Sequence, residues 1–294
     1  MRAGLAMLSE ARQKRSKRTR AALNATGTHI LLALLGIAFG LPFVWLILSS
    51  LKTDPQMLRF PPQWIPNPIM WRNYVAAFNA VPFLTYFKNT VFISGFNATA
   101  IAVTCSLAAY GFSRIRWPGR EALFWVLISS MLLPFAVLMV PLFILFTRLG
   151  WVDSFKAMTL PYLLGFGGAY LIFMLRQFFR SIPSELSDAA RMDGCSEFGI
   201  YFRIILPLSK PAIVTTWLIE FMWHWNDFLR PLIFLKDPAK YTLALGLYGF
   251  NTYRMGQWSL LMAATTLTIL PIVIVFFFAQ RFFIQGISMT GTKG

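Results

Sequence analysis

The sequence predicts an all-α integral membrane protein with six transmembrane helices, and three observations carry that expectation. Hydrophobic residues make up 57% of the 294 and charged residues only 13%, with a mean hydropathy of +0.60, which is too apolar for an ordinary soluble domain. Runs without a single charge recur at the length a bilayer demands, about 20 residues per spanning helix. The Lys and Arg residues between those runs are spread unevenly over the two sides that six crossings define, as expected when translocated segments are depleted in them.

The first charge-free run lies between Arg20 and Lys52, the second between Lys88 and Arg114, the third between Glu121 and Arg148, the fourth between Lys156 and Arg176, and the last between Arg254 and Arg281. A further apolar segment, Pro211 to Leu235, is interrupted by Glu220, Asp227 and Arg230 but is long enough to cross, and it becomes the fifth of six spans. The chain then divides into a basic tail (1–24), a first span with its outer loop (25–85), a core of five helices (86–284) and a C-terminal tail (285–294). Arg2, Arg12, Lys14, Arg15, Lys17, Arg18 and Arg20 precede the first span, so the tail is expected in the cytoplasm, and six crossings return the C-terminus to the same side. Thr28 to Ser50 is a full span, longer than the roughly 7 to 15 residues of a cleaved signal core. The net charge of +16 is read as topology plus attraction to anionic lipid headgroups, and no nucleic-acid partner is expected.

Chemistry-bearing motifs are scarce. Cys105 falls within a span and Cys195 in a loop, at different depths, so no disulfide is expected. Zinc-ligand spacings, H-E-x-x-H and G-x-x-x-x-G-K-[ST] do not occur, so neither catalytic residues nor a metal nor a bound cofactor is assigned to this chain.

The polar loop Arg180 to Leu208 holds four of the eleven acidic residues. Ser184 is positioned to cap a short helix carrying Glu185, Asp188 and Met192 at i, i+3 and i+7, with the carboxylates near its positive end. Ala189 and Ala190 keep one flank thin, Gly194 permits a change of direction, Ser196 caps a second helix and Pro207 is expected to stop it. Such a loop is either a solvated interfacial segment or a shape made to enter a groove on a partner protein.

Asp188-Ala189-Ala190, three residues, Gly194, nine residues, Ile204, one residue and Leu206-Pro207 reproduce the spacing of a known motif. The stretch resembles the EAA loop of ABC importer permeases, with Asp188 where that family usually has Glu and Glu185 one turn earlier to share its role. "SLKTDPQMLRFPPQWIPNPIMWRNYVAAF", "AAYGFSRIRWPGR", "WHWNDFLRPLIFL" and "QRFFIQGISMTGTKG" are likewise similar to the carbohydrate importers, and most closely to the second, six-span permease of the maltose-transporter type. The resemblance implies a prokaryotic inner-membrane subunit that pairs with a second related permease and rests on a dimer of ATPase subunits, which hold ATP and Mg. It also implies a sugar delivered by an extracytoplasmic binding protein. Glu185, Asp188, Ala189, Ala190, Asp193, Gly194, Leu206 and Pro207 would then couple this chain to the ATPase. The outer loop Lys52 to Leu84, with Trp64 and Trp71, would offer a docking surface to the binding protein or anchor in the membrane interface.

Ionisable residues inside a bilayer are costly and mark function by default. Glu220, His224 and Asp227 stand at i, i+4 and i+7 in the fifth span, with Trp223, Trp225 and Asn226 beside them. One reading has Glu220, Trp223, His224, Asn226 and Asp227 line the translocation cavity; the other has the charged groups pair with one another or with a neighbouring helix. A third makes them a proton relay in a secondary transporter, which would call for internal repeats that are not seen. Gly165, Gly167, Gly168 and Ala169 are expected to form a helix-packing surface, and Pro134, Pro141, Pro161 and Pro271 to bend their spans.

Overall fold

The computed structural model describes the backbone of residues 2–253 and 256–291 and the side chains of residues 25–249 and 256–280. The described residues are helical or loop, without strands. A long helix α1 (Arg2–Ser50) leads into two short helices, α2 (Asp54–Met57) and α3 (Arg72–Ala80), then the central α4 (Phe83–Ser113). Next come α5 (Arg120–Ser129), α6 (Phe135–Arg148), α7 (Phe155–Leu163) and α8 (Ala169–Ser181). The polar loop contributes α9 (Ser184–Met192), α10 (Glu197–Ile200) and α11 (Leu206–Leu208), and the chain finishes with α12 (Lys210–Trp225), α13 (Leu229–Phe234), α14 (Leu243–Tyr253) and α15 (Trp258–Gly291). The basic side chains before residue 25 and those of the C-terminal tail lie outside the described set.

Among the described residues, three helical stretches are long and apolar enough to cross a membrane: Ala25–Ser50, Phe83–Ser113 and Trp258–Gln280. The expected third, fourth and fifth spans are each interrupted. The third bends by 97° between Leu132 and Phe135, where Pro134 occupies the cap of α6 with extended backbone and has no N–H to continue the ladder. The fourth is split into α7 and α8, because Gly165 and Gly167 adopt φ of +76° and +79°, a left-handed conformation that ends a helix. These two glycines make a turn and not the packing surface expected of them. Gly168 and Ala169 keep that role: both are buried, and a Cβ on Gly168 would stand 2.3 Å from Cys105 Sγ. A 79° bend separates Glu197–Leu208 from α12, so length and composition give up to five crossings when each bent pair is taken as one.

Burial ranks the helices. Half of the apolar window of α4 is buried, against none in α1 and 17% in α15, so α4 is the axis and α1 is peripheral. The α4 residues Ser94, Ala98, Ala102, Cys105 and Ala109 are small and buried, which lets α12, α8 and α7 approach closely. Outside them, α15 packs on α12, α1 and α3. Several polar groups of the bundle are paired across helices, which lowers the cost of placing them in a water-poor medium. The Trp217 indole donates to Thr99 Oγ1 at 3.0 Å, the Asn97 amide to the Met158 carbonyl at 2.8 Å, and the Trp225 indole to the Thr268 carbonyl at 3.2 Å.

At the end remote from α9, side chains tie the connecting loops together. Asp54 accepts from the Ser259 backbone N–H at 2.9 Å and hydroxyl at 2.8 Å, and the Asn73 amide donates to the carbonyls of Ser50 and Lys52. Asp153, with a φ of +60°, accepts through Oδ1 from the backbone N–H groups of Lys236 and Asp237 and through Oδ2 from Lys240 Nζ at 2.9 Å. Those two N–H donors, and after them the Lys240 ammonium, hold the Asp153 carboxyl down at about 2. Because the folded value lies below the ordinary one, the clamp contributes its full stabilisation above the ordinary carboxylate range and loses it as pH falls towards that value. Asp153→Asn, which still tolerates the left-handed backbone, is expected to lower Tm by a few degrees near neutral pH. The gap to wild type should narrow between about pH 5 and about pH 3; a gap that stays constant across that window would show that the carboxylate charge is not responsible.

Candidate coupling site and membrane-embedded polar face

Helix α9 begins at Pro183, not at a capping serine. Pro183 occupies the cap position with no side-chain hydrogen bond, and Ser184, expected to cap, is the first residue inside the helix. The fixed φ of proline and the extended conformation it imposes on Ile182 set the entry instead. The exit follows the expected chemistry. Gly194 has φ +79°, its N–H donates to the Arg191 carbonyl, and the Cys195 N–H donates to that of Ala190, the paired bonds of a Schellman cap. Ser196 then caps α10 by accepting from the Gly199 N–H at 3.2 Å.

Pro207 does not stop this second helix. The chain passes from α10 through a π-helical turn, Tyr201–Ile205, into α11, and breaks only at Ser209. The wider π turn keeps the preceding carbonyls clear of the Pro207 ring, whose missing N–H would interrupt a regular ladder. Pro211, in the first turn of α12, starts the next helix.

The loop is welded to the core by side chains that sequence reasoning missed. Arg191 joins both short helices, with Nη1 2.7 Å from Asp188 Oδ1 and Nε 2.8 Å from Glu197 Oε1. Hydrogen bonding to Glu197 raises the Arg191 pKa further above its ordinary value. The Tyr110 hydroxyl of α4 donates to Glu197 Oε2 at 2.6 Å, and Tyr201 and Ser106 share a hydroxyl contact of 2.6 Å. Arg114 donates to the carbonyls of Phe179 and Ile182 at the end of α8. Ile200 and Ile205 are fully buried in one apolar cluster with Ile101, Cys105, Leu175 and Phe179.

Two of the four loop carboxylates, Asp188 and Glu197, are therefore engaged within the chain, while Glu185 and Asp193 are exposed and form no ion pair among the described residues. Ala189 and Pro207 are exposed; Ala190 and Leu206 pack against the core cluster. Leu186, Met192, Phe198 and Phe202 add an apolar surface, Met192 being 88% exposed. Exposed apolar side chains gathered at one corner are the signature of an interaction surface.

The polar face of α12 separates into pairs. His224 is buried, its Nε2 3.2 Å from Glu220 Oε2, with Nδ1 3.4 Å from the Asn97 amide of α4 and the Tyr162 ring of α7 edge-on at 4.5 Å. Asp227 accepts from the Arg230 backbone N–H at 3.3 Å and lies 3.4 Å from its Nη1. The Arg230 guanidinium in turn lies over the Phe135 ring at 4.8 Å. Trp225 is buried, turned towards α15 and away from these groups, whereas Trp223 is 65% exposed and Asn226 is exposed beside it.

The bundle is organised on one central helix, with the two short helices α9 and α10 forming a corner at one end. Residues 101–289 match the family model described as binding-protein-dependent transport system inner membrane component, and the chain belongs to that family. Among its relatives, the arabinooligosaccharides transport system permease protein AraQ of Bacillus subtilis is 33% identical over 264 residues, covering 89% of this chain and 93% of the relative. The lactose transport system permease protein LacG of Rhizobium radiobacter is 32% identical over 245 residues, covering 83% and 88%. A crystal structure of a bacterial ABC transporter involved in the import of the acidic polysaccharide alginate contains a chain of the same fold, with a TM-score of 0.74, 24% identity and coverage of 92% of this chain and 98% of that one.

Glu197→Ala removes the carboxylate that Arg191 and Tyr110 share. Charge-assisted hydrogen bonds contribute about 1.5–3 kcal/mol, and the partial exposure of this site places the effect at the low end. Amide-exchange protection across residues 184–196 should fall roughly tenfold while that of the α4 midsection stays unchanged. Equal loss in both segments would mean that the bridge stabilises the whole fold and not the loop.

Proposed function

We propose that this chain is the permease subunit of an ATP-driven, binding-protein-dependent importer of sugars, an oligosaccharide or disaccharide by analogy with its relatives. It pairs with a second permease, rests on a dimer of ATPase subunits that carry ATP and Mg, and accepts substrate from an extracytoplasmic binding protein. The six spans of this reading are α1, α4, α5–α6, α7–α8, α12–α13 and α15, with α9 to α11 at the cytoplasmic surface and both termini inside.

The observation that carries the proposal is the bridge from Arg191 through Glu197 to Tyr110, which joins the exposed corner to the central span. ATP binding closes the ATPase dimer and draws the coupling loops of the two permeases together. A loop that shares the core of α4 and α8 transmits that displacement as a rigid body, so the cavity opens outward; hydrolysis reverses the step. Glu185, Asp193 and the apolar corner supply the docking contacts, while Asp188 sets the shape of α9 through Arg191. Trp223 and Asn226, exposed on α12, are the sugar-facing candidates. Glu220 and Asp227 are paired locally, with His224 and Arg230, and His224 ties α12 to α4 and α7 through Asn97 and Tyr162, which supports a structural role for this face.

Two experiments test this. Gly194→Val, in open space but at a left-handed φ that costs a residue with a Cβ about 1–2 kcal/mol, should abolish ATP-dependent uptake with normal membrane levels, whereas Gly194→Asn should retain most of it. Normal uptake by the valine variant would remove the loop from the mechanism. His224→Ala removes the partner of Glu220 and one of the two contacts of the Asn97 amide, a loss of about 1–3 kcal/mol in stability, and should change uptake less than about tenfold. Complete loss in a correctly assembled complex would instead assign the pair to proton or substrate handling.

A further inference from the structure

Behind the coupling corner, between the ends of α4 and α8 and the inner face of α9, lies a cavity of about 620 Å³. Its walls carry six guanidinium groups, those of Arg114, Arg116, Arg120, Arg176, Arg180 and Arg191. Carboxylates compensate only half of that charge. Arg191 is matched by Asp188 and Glu197, and Arg120 and Arg176 share Glu121. Arg114 directs donors to backbone carbonyls, and its buried Nε has no partner. Arg116 and Arg180 are exposed and make no hydrogen bond or ion pair among the described residues.

A second feature points the same way. Ser184 and Ser187 of the first turn of α9 line the cavity, and that turn has no side-chain cap, so the positive end of the helix dipole lies beside the space. Ser187, in that turn, lines the cavity at 1% exposure with a hydroxyl that has no hydrogen-bond partner. Unpaired guanidinium groups, an uncapped helix start and an orphaned buried hydroxyl form a donor set without an acceptor. Arginine forks and helix N-termini are suited to one chemistry above others, the tetrahedral oxygens of a phosphate.

We propose that this cavity binds a phosphate group, carried either by an anionic lipid headgroup from the adjoining leaflet or by a free phosphate species, and that the bound anion holds α9 against α4 and α8. Basic recesses between helices at the cytoplasmic surface take anionic headgroups, and a filled site would make the setting of the coupling corner depend on that ligand. The proposal rests on the function given above only for the choice of leaflet. Binding is measured on the purified full chain without ATPase or sugar, so the failure of either reading leaves the other standing.

The test has two arms, on wild type and on the double variant Arg116→Gln/Arg180→Gln, whose changed side chains are exposed and outside the core. In the first, the chain is reconstituted in nanodiscs of phosphatidylcholine doped with phosphatidylglycerol, and retained lipid is quantified by mass spectrometry. In the second, inorganic phosphate binding is followed by equilibrium dialysis in a neutral detergent. Phosphatidylglycerol enrichment that falls roughly tenfold in the double variant supports the site and identifies a lipid source. Saturable phosphate binding with the same dependence, without lipid enrichment, supports it with a free source. Ser187→Ala should weaken whichever ligand binds, though by less. Binding that is absent in both arms, or equal in wild type and the double variant, overturns the proposal.

Discussion

Glu197 accepts from Arg191 and from Tyr110 at the same time, and the α9–α10 corner keeps its place through that double engagement. One oxygen is held by a side chain of α9 and the other by a side chain of the central span, so α9, α10 and α4 meet at a single carboxylate. Half-exposed ion pairs contribute little to stability when isolated. Here the pair is continued by a hydroxyl contact and by Ile200 and Ile205, which are sealed into the α4–α8 cluster. The charged bridge fixes direction, and the apolar burial beneath it supplies most of the free energy.

The broken spans follow from the same economy of polar groups. Inside a bilayer, backbone that leaves helical geometry must be buried against protein or face a water-filled space. The turn between α7 and α8 meets that condition by lying against α4, where Gly168 abuts Cys105. The Glu220–His224 pair meets it by packing between α4 and α7, with Asn97 and Tyr162 around it. Departures from a plain helix occur beside α4, at the α7–α8 turn, and in the exposed bend at Pro134, whereas the described part of α1, whose apolar window is unburied, runs without a break.

Local chemistry was readable in the sequence and distant chemistry was not. The three uninterrupted spans were legible because a charge-free run of sufficient length has few alternative structures. Gly194 and Ser196 were legible too, since a left-handed turn and a capping hydroxyl each act within a few residues. Ser184 was misassigned because Pro183 competes for the same cap. Gly165 and Gly167 were taken for a packing face because small-residue spacing says nothing about the sign of φ. The fifth-span pairing was foreseen as one of several readings, because an i, i+4 contact is local. The Tyr110–Glu197 bond joins residues 87 apart and left no local trace. The spacing of Asp188 and Arg191 is the one local hint that a loop carboxylate is paired within the chain.

The contact between α8 and α4 sets a limit of a different kind. Gly168 has no Cβ because Cys105 already fills the space, the Sγ lying 2.3 Å from where that atom would be, and neither helix moves easily while both share one buried cluster. The two positions behave as one volume divided between two helices. A methyl group added at 168 is tolerated only if sulfur-sized bulk is withdrawn at 105, so substitutions here should arise as compensating pairs.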